Sequence, residues 1–371
     1  MATTNSPKTK ERLNSLDTLR GFDMLWIIGG GALIEALAKA TGWNWTEVLA
    51  NQMHHVKWEG FHFEDLIFPL FMFISGVAIP FALTSRLEKG TPKMVLYKKV
   101  FVRMVLLILL GFVYNGALRN GFSNMRYPSV LSQIGIAYFF AALIVINTTT
   151  LKARIFWLLG IFAGIATLQL FVPVPGFGAG VFSPDATINA WLDQRFLPGR
   201  LIYETYDPEG ILCIVSAISI TLMGTFAGLV LRNKKITPNR KTVILIVVGV
   251  SLVIVALLLS PVYPIIKKIW TVPFNILTAG ISFLLLAVFY YVIDVKMWNK
   301  WILFFKVIGL NSITIYLGMR IINFHHSSTF LLGWIANPMG IFGDVIIVSG
   351  VLAIEWMLLY YLYKNKIFLR V

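Results

Sequence analysis

The densest run of chemistry-bearing residues reads His54-His55-Val56-Lys57-Trp58-Glu59-Gly60-Phe61-His62-Phe63-Glu64-Asp65, and it opens directly onto the apolar run Leu66 to Gly76. Imidazole has a reference pKa of about 6.5, so it can take and give protons near neutral pH. A neighbouring carboxylate can fix its tautomer and support its positive charge. On residue types alone three readings stay open: a general acid/base site, a metal site, or an interfacial loop without chemistry. The metal reading lacks an HExxH or comparable ligand spacing, and the one cysteine, Cys213, supplies no thiolate cluster and no intramolecular disulfide. In a continuous helix His55 and Asp65 would stand about 15 Å apart, so Gly60 must break the path and fold it back if they are to cooperate. His62 and Asp65, three apart, share a face if a helix starts that early.

The elements that must position these residues are membrane helices. Of 371 residues 57% are hydrophobic and 13% charged, and mean hydropathy is +0.77. A soluble domain is about one quarter charged, so soluble, disordered, collagenous, coiled-coil and disulfide-scaffold classes are excluded. Ten stretches are long and apolar enough to span a bilayer, near residues 21–40, 64–85, 100–117, 128–147, 155–173, 208–231, 242–261, 271–293, 301–322 and 341–362. They are apolar all round, which predicts an all-α, polytopic integral membrane helix bundle. The net charge of +15 reads as topology rather than as a nucleic-acid surface. With a cytoplasmic N-terminus, the inside segments hold 23 of the 32 Lys and Arg residues. Among them are Lys8, Lys10, Arg12 and Arg20, the group from Arg86 to Arg103, the group from Arg232 to Lys241, and Lys364, Lys366 and Arg370. Both termini are therefore expected in the cytoplasm.

The first stretch resembles a signal peptide in its basic start and in Ala36-Leu37-Ala38, but Asp23, Glu35 and the triplet Gly29-Gly30-Gly31 interrupt it. No internal repeat is visible. We expect one transmembrane domain over 1–371, with a cytoplasmic tail at 1–20. An extracytoplasmic loop at 174–207 follows, with a short helix near Ala186 to Arg195. All five histidines then fall outside, with Glu59, Asp185, Asp193, Glu204, Asp207 and Glu209. Ordinary solvated loops are the bland explanation, favoured for His325 and His326. Asp207 and Glu209 read equally well as a sugar-binding pair and as acids beside a helix N-terminus with Pro208 in its first turn.

The pattern His55-x-x-Trp58-x-Gly60, then Asp65-Leu66-Ile67-Phe68-Pro69 and Phe71-Met72-Phe73-Ile74-x-Gly76, closely resembles the heparan-α-glucosaminide N-acetyltransferase family, which has many bacterial members. Further stretches match in order along most of the chain: Ser15 to Gly21, Arg126-Tyr127-Pro128 with Val130, Leu131, Gly135 and Tyr138, Tyr206 to Gly210, Gly309 to Ser312, and Lys364 to Phe368. The resemblance implies acetyl transfer from cytosolic acetyl-CoA to the amine of a terminal glucosamine across the membrane, with His55 as the essential histidine. It also implies a homodimer and a bacterial inner-membrane location.

A mechanism consistent with that resemblance makes His55 the general base and Asp65 its support, directly or through His62. Asn311, the Trp58 indole or Arg126 would serve the oxyanion. Trp58, Glu59, Asp207 and Glu209 would contact the sugar. The pantetheine arm would pass Gly29, Gly30 and Gly31, and loop cations such as Lys234 would meet the phosphates. No metal is expected. One departure stands out: the resembled enzymes carry an asparagine just ahead of the glycine triplet, where this chain has Ile27-Ile28, so Asn311 or Asn275 substitutes or the acceptor differs. The large lumenal domain of those enzymes also has no counterpart in this sequence. An amino-sugar transporter and an O-acyltransferase of surface glycans are the alternatives, the first suggested by prolines near helix starts (Pro69, Pro128, Pro208, Pro273). Direct transfer is preferred over an acetyl-histidine intermediate.

Overall fold

The computed structural model describes residues 13–122 and 124–369. Lys8, Lys10, Arg12 and Arg370, used above for orientation, lie outside the described residues. The chain is an integral multi-pass membrane protein built from helices: α1 (Asn14–Thr41), α2 (Asn44–Gln52), α3 (Glu64–Leu87), α4 (Lys93–Tyr114), α5 (Val130–Asn147), α6 (Leu151–Phe171) and α7 (Ile188–Phe196). The second half holds α8 (Ile211–Arg232), α9 (Pro238–Leu259), α10 (Val272–Val295), α11 (Ile302–Leu310), α12 (Ser312–Ile321), α13 (Phe324–Ala336) and α14 (Gly343–Lys364).

Among the described residues eight helical stretches are long and apolar enough to cross a membrane, or nine when α11 and α12, bent by 70° at Asn311, count as one span. The sequence reading gave ten. The difference lies in α4, which has the length of a span at 22 residues but carries Lys98, Lys99 and Arg103. α13 and α14 form one continuous stretch by composition, yet they pack on each other around a turn at Gly340, where φ is 53°. The helices on the outside of the bundle present apolar side chains outward, such as Phe156 and Leu258, as lipid contact requires.

Small residues set the central packing. A Cβ on Gly76 of α3 would lie 2.0 Å from the Thr221 carbonyl oxygen, and one on Gly224 of α8 would lie 2.1 Å from that of Phe73. The two backbones touch there, as small-residue pairs permit in membranes.

Two helices at the centre are interrupted. α1 breaks at Gly29, whose φ of 140° is open to glycine and strained for other residues, and α11 gives way to α12 at Asn311. The loops sort to two ends, as alternating spans require. At one end Ser15 N–H donates to Asp294, Lys306 to Asn14, and Arg232 to Glu88. At the other, Trp58 donates to Phe182 and Arg126 pairs with Asp207.

Candidate functional site

The stretch from His54 to Phe63 turns back between α2 and α3, as Gly60 was expected to make it do. Gly60 takes φ 118° and its N–H donates to Ile265 O at 2.9 Å, tying the loop to the segment before α10. The fold-back brings His55 Nδ1 to 3.0 Å from Asp65 Oδ1. Asp65 is buried, and its second oxygen accepts from the backbone N–H of His62 at 2.9 Å and of Val56 at 3.4 Å. One carboxylate thus fixes both the imidazole and the loop that carries it. His62 supports Asp65 through its backbone; its ring Nδ1 instead lies 2.8 Å from His54 O. A carboxylate on Nδ1 selects the tautomer that leaves the Nε2 lone pair as the acceptor.

Lys267 completes the group, and residue-type reasoning had not singled it out. Its Nζ lies 2.9 Å from His55 Nδ1, 3.2 Å from Nε2, and 3.5 Å from Asp65 Oδ1. Burial pushes the Lys267 ammonium below its ordinary pKa, while Asp65, Glu64 and Glu209 oppose the shift. His55, Glu64, Glu209 and Lys267 line one cavity of about 360 Å³ with Tyr114, Ser312 and Tyr316, above an apolar floor that includes Phe71. The signal for Lys267 was available: it is one of few basic residues on the end that the charge bias leaves poor in them.

Of the remaining expected residues, Glu209 lines the cavity, Arg126 and Asp207 brace it, and others lie apart from it. Arg126 donates through Nε to Asp207 at 2.7 Å, through Nη2 to the other oxygen of Asp207 at 2.5 Å, and to Glu209. Burial works against the guanidinium charge, but the two carboxylates outweigh it and raise its pKa. Glu209 is raised by burial, against Arg126 and with Asp207, to about 7. Asp207 is fully buried and Glu209 faces the cavity, so the pair divides into a brace and a lining residue. Trp58 Nε1 donates to Phe182 O at 2.6 Å and its ring meets Tyr206 edge-on, which occupies its donor. Glu59 is exposed beside it.

Asn311 is buried at the α11–α12 bend, with neither side-chain polar atom partnered. Asn275 donates to Ser216 and Ser219 within the core, so it does not stand in for the asparagine absent before the glycine triplet. Gly29, Gly30 and Gly31 face Leu352, Trp26 and Met53 respectively, and none of them lines the His55 cavity. Lys234 is exposed at the opposite end, near the Arg232–Glu88 pair. Among the described residues no three His, Cys, Asp or Glu side chains converge as a metal site would need.

A domain of unknown function, DUF5009, matches residues 12–124, which include the His55–Asp65 loop. Heparan-alpha-glucosaminide N-acetyltransferase of Mus musculus is 26% identical over 97% of the chain, and that of Homo sapiens is likewise 26% identical over 97%. The chain spans 60% of the length of either relative. At that identity over nearly its whole length, the chain is a distant relative of heparan-alpha-glucosaminide N-acetyltransferase.

Proposed function

We propose that the protein is a membrane N-acetyltransferase that moves acetyl from acetyl-CoA to the amine of a glucosamine-type sugar, with His55 as general base. The observation that carries this reading is a base fixed by a buried carboxylate at the wall of a cavity inside a membrane bundle. The similarity to the acetyltransferases supports it. We place the chain in a bacterial cytoplasmic membrane with His55 on the outer side, on the positive-inside bias.

The chemistry balances without a further reactant. The sugar amine, having lost one proton to solvent, attacks the thioester carbonyl carbon. As the C–N bond forms, His55 Nε2 takes the second proton, and the imidazolium delivers it to the thiolate as the C–S bond breaks. Asp65 holds the proton on Nδ1 and offsets the imidazolium charge, while the Lys267 ammonium stands beside the same ring. The Ser312 and Tyr316 hydroxyls, which line the same cavity, serve the oxyanion. Glu64 and Glu209 receive the polar groups of the sugar. His55 is 49% exposed at its side chain, so an acetyl-imidazole there would meet water, which favours direct transfer.

The test is transfer of labelled acetyl from acetyl-CoA to glucosamine by detergent-purified protein, with His55→Ala and a no-acceptor control. Product lost in the variant supports the reading. Acetyl on a His55 peptide without acceptor would overturn direct transfer, and acetylation confined to hydroxyl glycans would overturn the amine. The interrupted helices at Gly29 and Asn311 are a feature that transporters share. Glucosamine uptake into proteoliposomes, without acetyl transfer, would favour that reading instead.

A further inference from the structure

A second cavity, of about 280 Å³, lies on the far side of the floor beneath His55. Phe71, Leu131, Ile134, Ser312 and Ile313 line both cavities, so one wall of side chains separates them. The second cavity is lined by two guanidinium groups, Arg20 of α1 and Arg103 of α4, with Ser75, Gly309 and the C-terminal residues Phe368 and Leu369.

Arg103 is the informative one. It stands ten residues into the 22-residue α4, about 15 Å along the helix axis, where a cation facing lipid would be costly. Its side chain points into the bundle, with the guanidinium carbon 4.0 Å from the centre of the Tyr138 ring. No carboxylate pairs with it among the described residues, and its buried Nε has no partner. Arg20, by contrast, stands 3.6 Å from Asp17. A half-buried cation with an unpartnered buried donor, facing a void across one wall from a base, calls for an anion.

We propose that this cavity binds the phosphate-bearing nucleotide end of acyl-coenzyme A, with Arg103 as its principal cation and Arg20 as its second. The assignment rests on the acetyltransferase reading and refines it: Arg103 and Arg20 take the role that loop cations such as Lys234 were expected to fill. The slender pantetheine arm would run along Phe71 and Ser312, which border both cavities, and present the thioester to His55.

The experiment measures binding of coenzyme A and of adenosine 3′,5′-bisphosphate to detergent-purified protein, and donor kinetics with acetyl-CoA and with acetyl-pantetheine, which lacks the phosphates. For Arg103→Gln we expect at least a tenfold loss of affinity for both nucleotides. The KM for acetyl-CoA should rise by a similar factor while the KM for acetyl-pantetheine stays within twofold. Arg103→Lys, which keeps the charge and loses the fork, should fall between, and it carries the test if Arg103→Gln does not fold. Wild-type nucleotide affinity in both variants, or no nucleotide binding by the wild type, would overturn the site. Nucleotide binding that depends on Arg103, without transfer from either donor, would uphold the site and sink the transferase reading.

Discussion

Replacing Asp65 by Asn changes charge and little else, and the structure says what that should cost. Both backbone N–H groups of the loop are held by Oδ2 of Asp65, while His55 and Lys267 face Oδ1. An asparagine with its oxygen in the Oδ2 position keeps the loop clamped and turns its NH2 toward the imidazole. That group donates to Nδ1 and moves the ring proton to Nε2, the wrong tautomer for the base. The charge balance shifts too. An imidazolium 3.0 Å from Asp65 gains about 5 kcal/mol at an effective dielectric of about 20, and the Lys267 ammonium at 2.9 Å opposes it by a similar amount. Without the carboxylate the repulsion stands alone. Solvent at the half-exposed ring cuts it to about half, leaving 2 to 3 kcal/mol, or about a hundredfold in rate. Asp65→Asn should therefore lower kcat about a hundredfold with KM for the amine little changed. Adding Lys267→Gln should restore about tenfold, because it relieves the repulsion and leaves the tautomer wrong. The assay is steady-state acetyl transfer, with thermal unfolding to establish that each variant is folded. A single variant within threefold of wild type, or a double variant slower than the single, would refute this account of the site.

Arg126→Gln should lower thermal stability sharply, by about 3 to 5 kcal/mol, because it strands the buried Asp207 carboxylate; an unfolding midpoint near wild type would show that water replaces the guanidinium. Glu209, raised to about 7, is a carboxylate mainly above that pH, so affinity for the amine acceptor should strengthen from pH 6 to 8, and Glu209→Gln should flatten that rise in KM measurements. Gly224→Val places a Cβ 2.1 Å from the Phe73 carbonyl oxygen and should cost about 1 to 3 kcal/mol or more by forcing α3 and α8 apart, read as a lower unfolding midpoint.

Much of this was legible in the chain. Apolar runs gave the helices, and the glycine between His55 and Asp65 gave the fold-back, since only a reversal could join them. Lys267 stood out only as a basic residue on the end poor in them; its place beside His55 was not legible, because 212 positions separate the two and sequence does not show the contact. Asp207 and Glu209 could not be told apart, because only packing decides which of two nearby acids is covered by Arg126 and which lines a cavity. The glycine triplet misled for a related reason: it suggested a passage, whereas its first member supplies a backbone break packed on Leu352. Arg103 was counted among the topology-setting charges, and its direction into the bundle is invisible without the neighbouring Tyr138.

The wall shared by the two cavities is also an electrical insulator. Phe71, Leu131, Ile134 and Ile313 are apolar, and Ser312 alone among the shared residues carries a hydroxyl. Where hollows approach each other from both ends of a bundle, the membrane voltage falls mostly across what remains between them, at about 2.3 kcal/mol per charge per 100 mV. A thioester passing this wall carries no charge and crosses without electrical work, whereas a proton or a phosphate would meet nearly the whole voltage. On the proposed acetyltransferase reading, the same few side chains that would let an acetyl group be handed through would keep the energised membrane sealed, and Phe71→Gly should appear first as proton leak in vesicles rather than as a loss of catalysis.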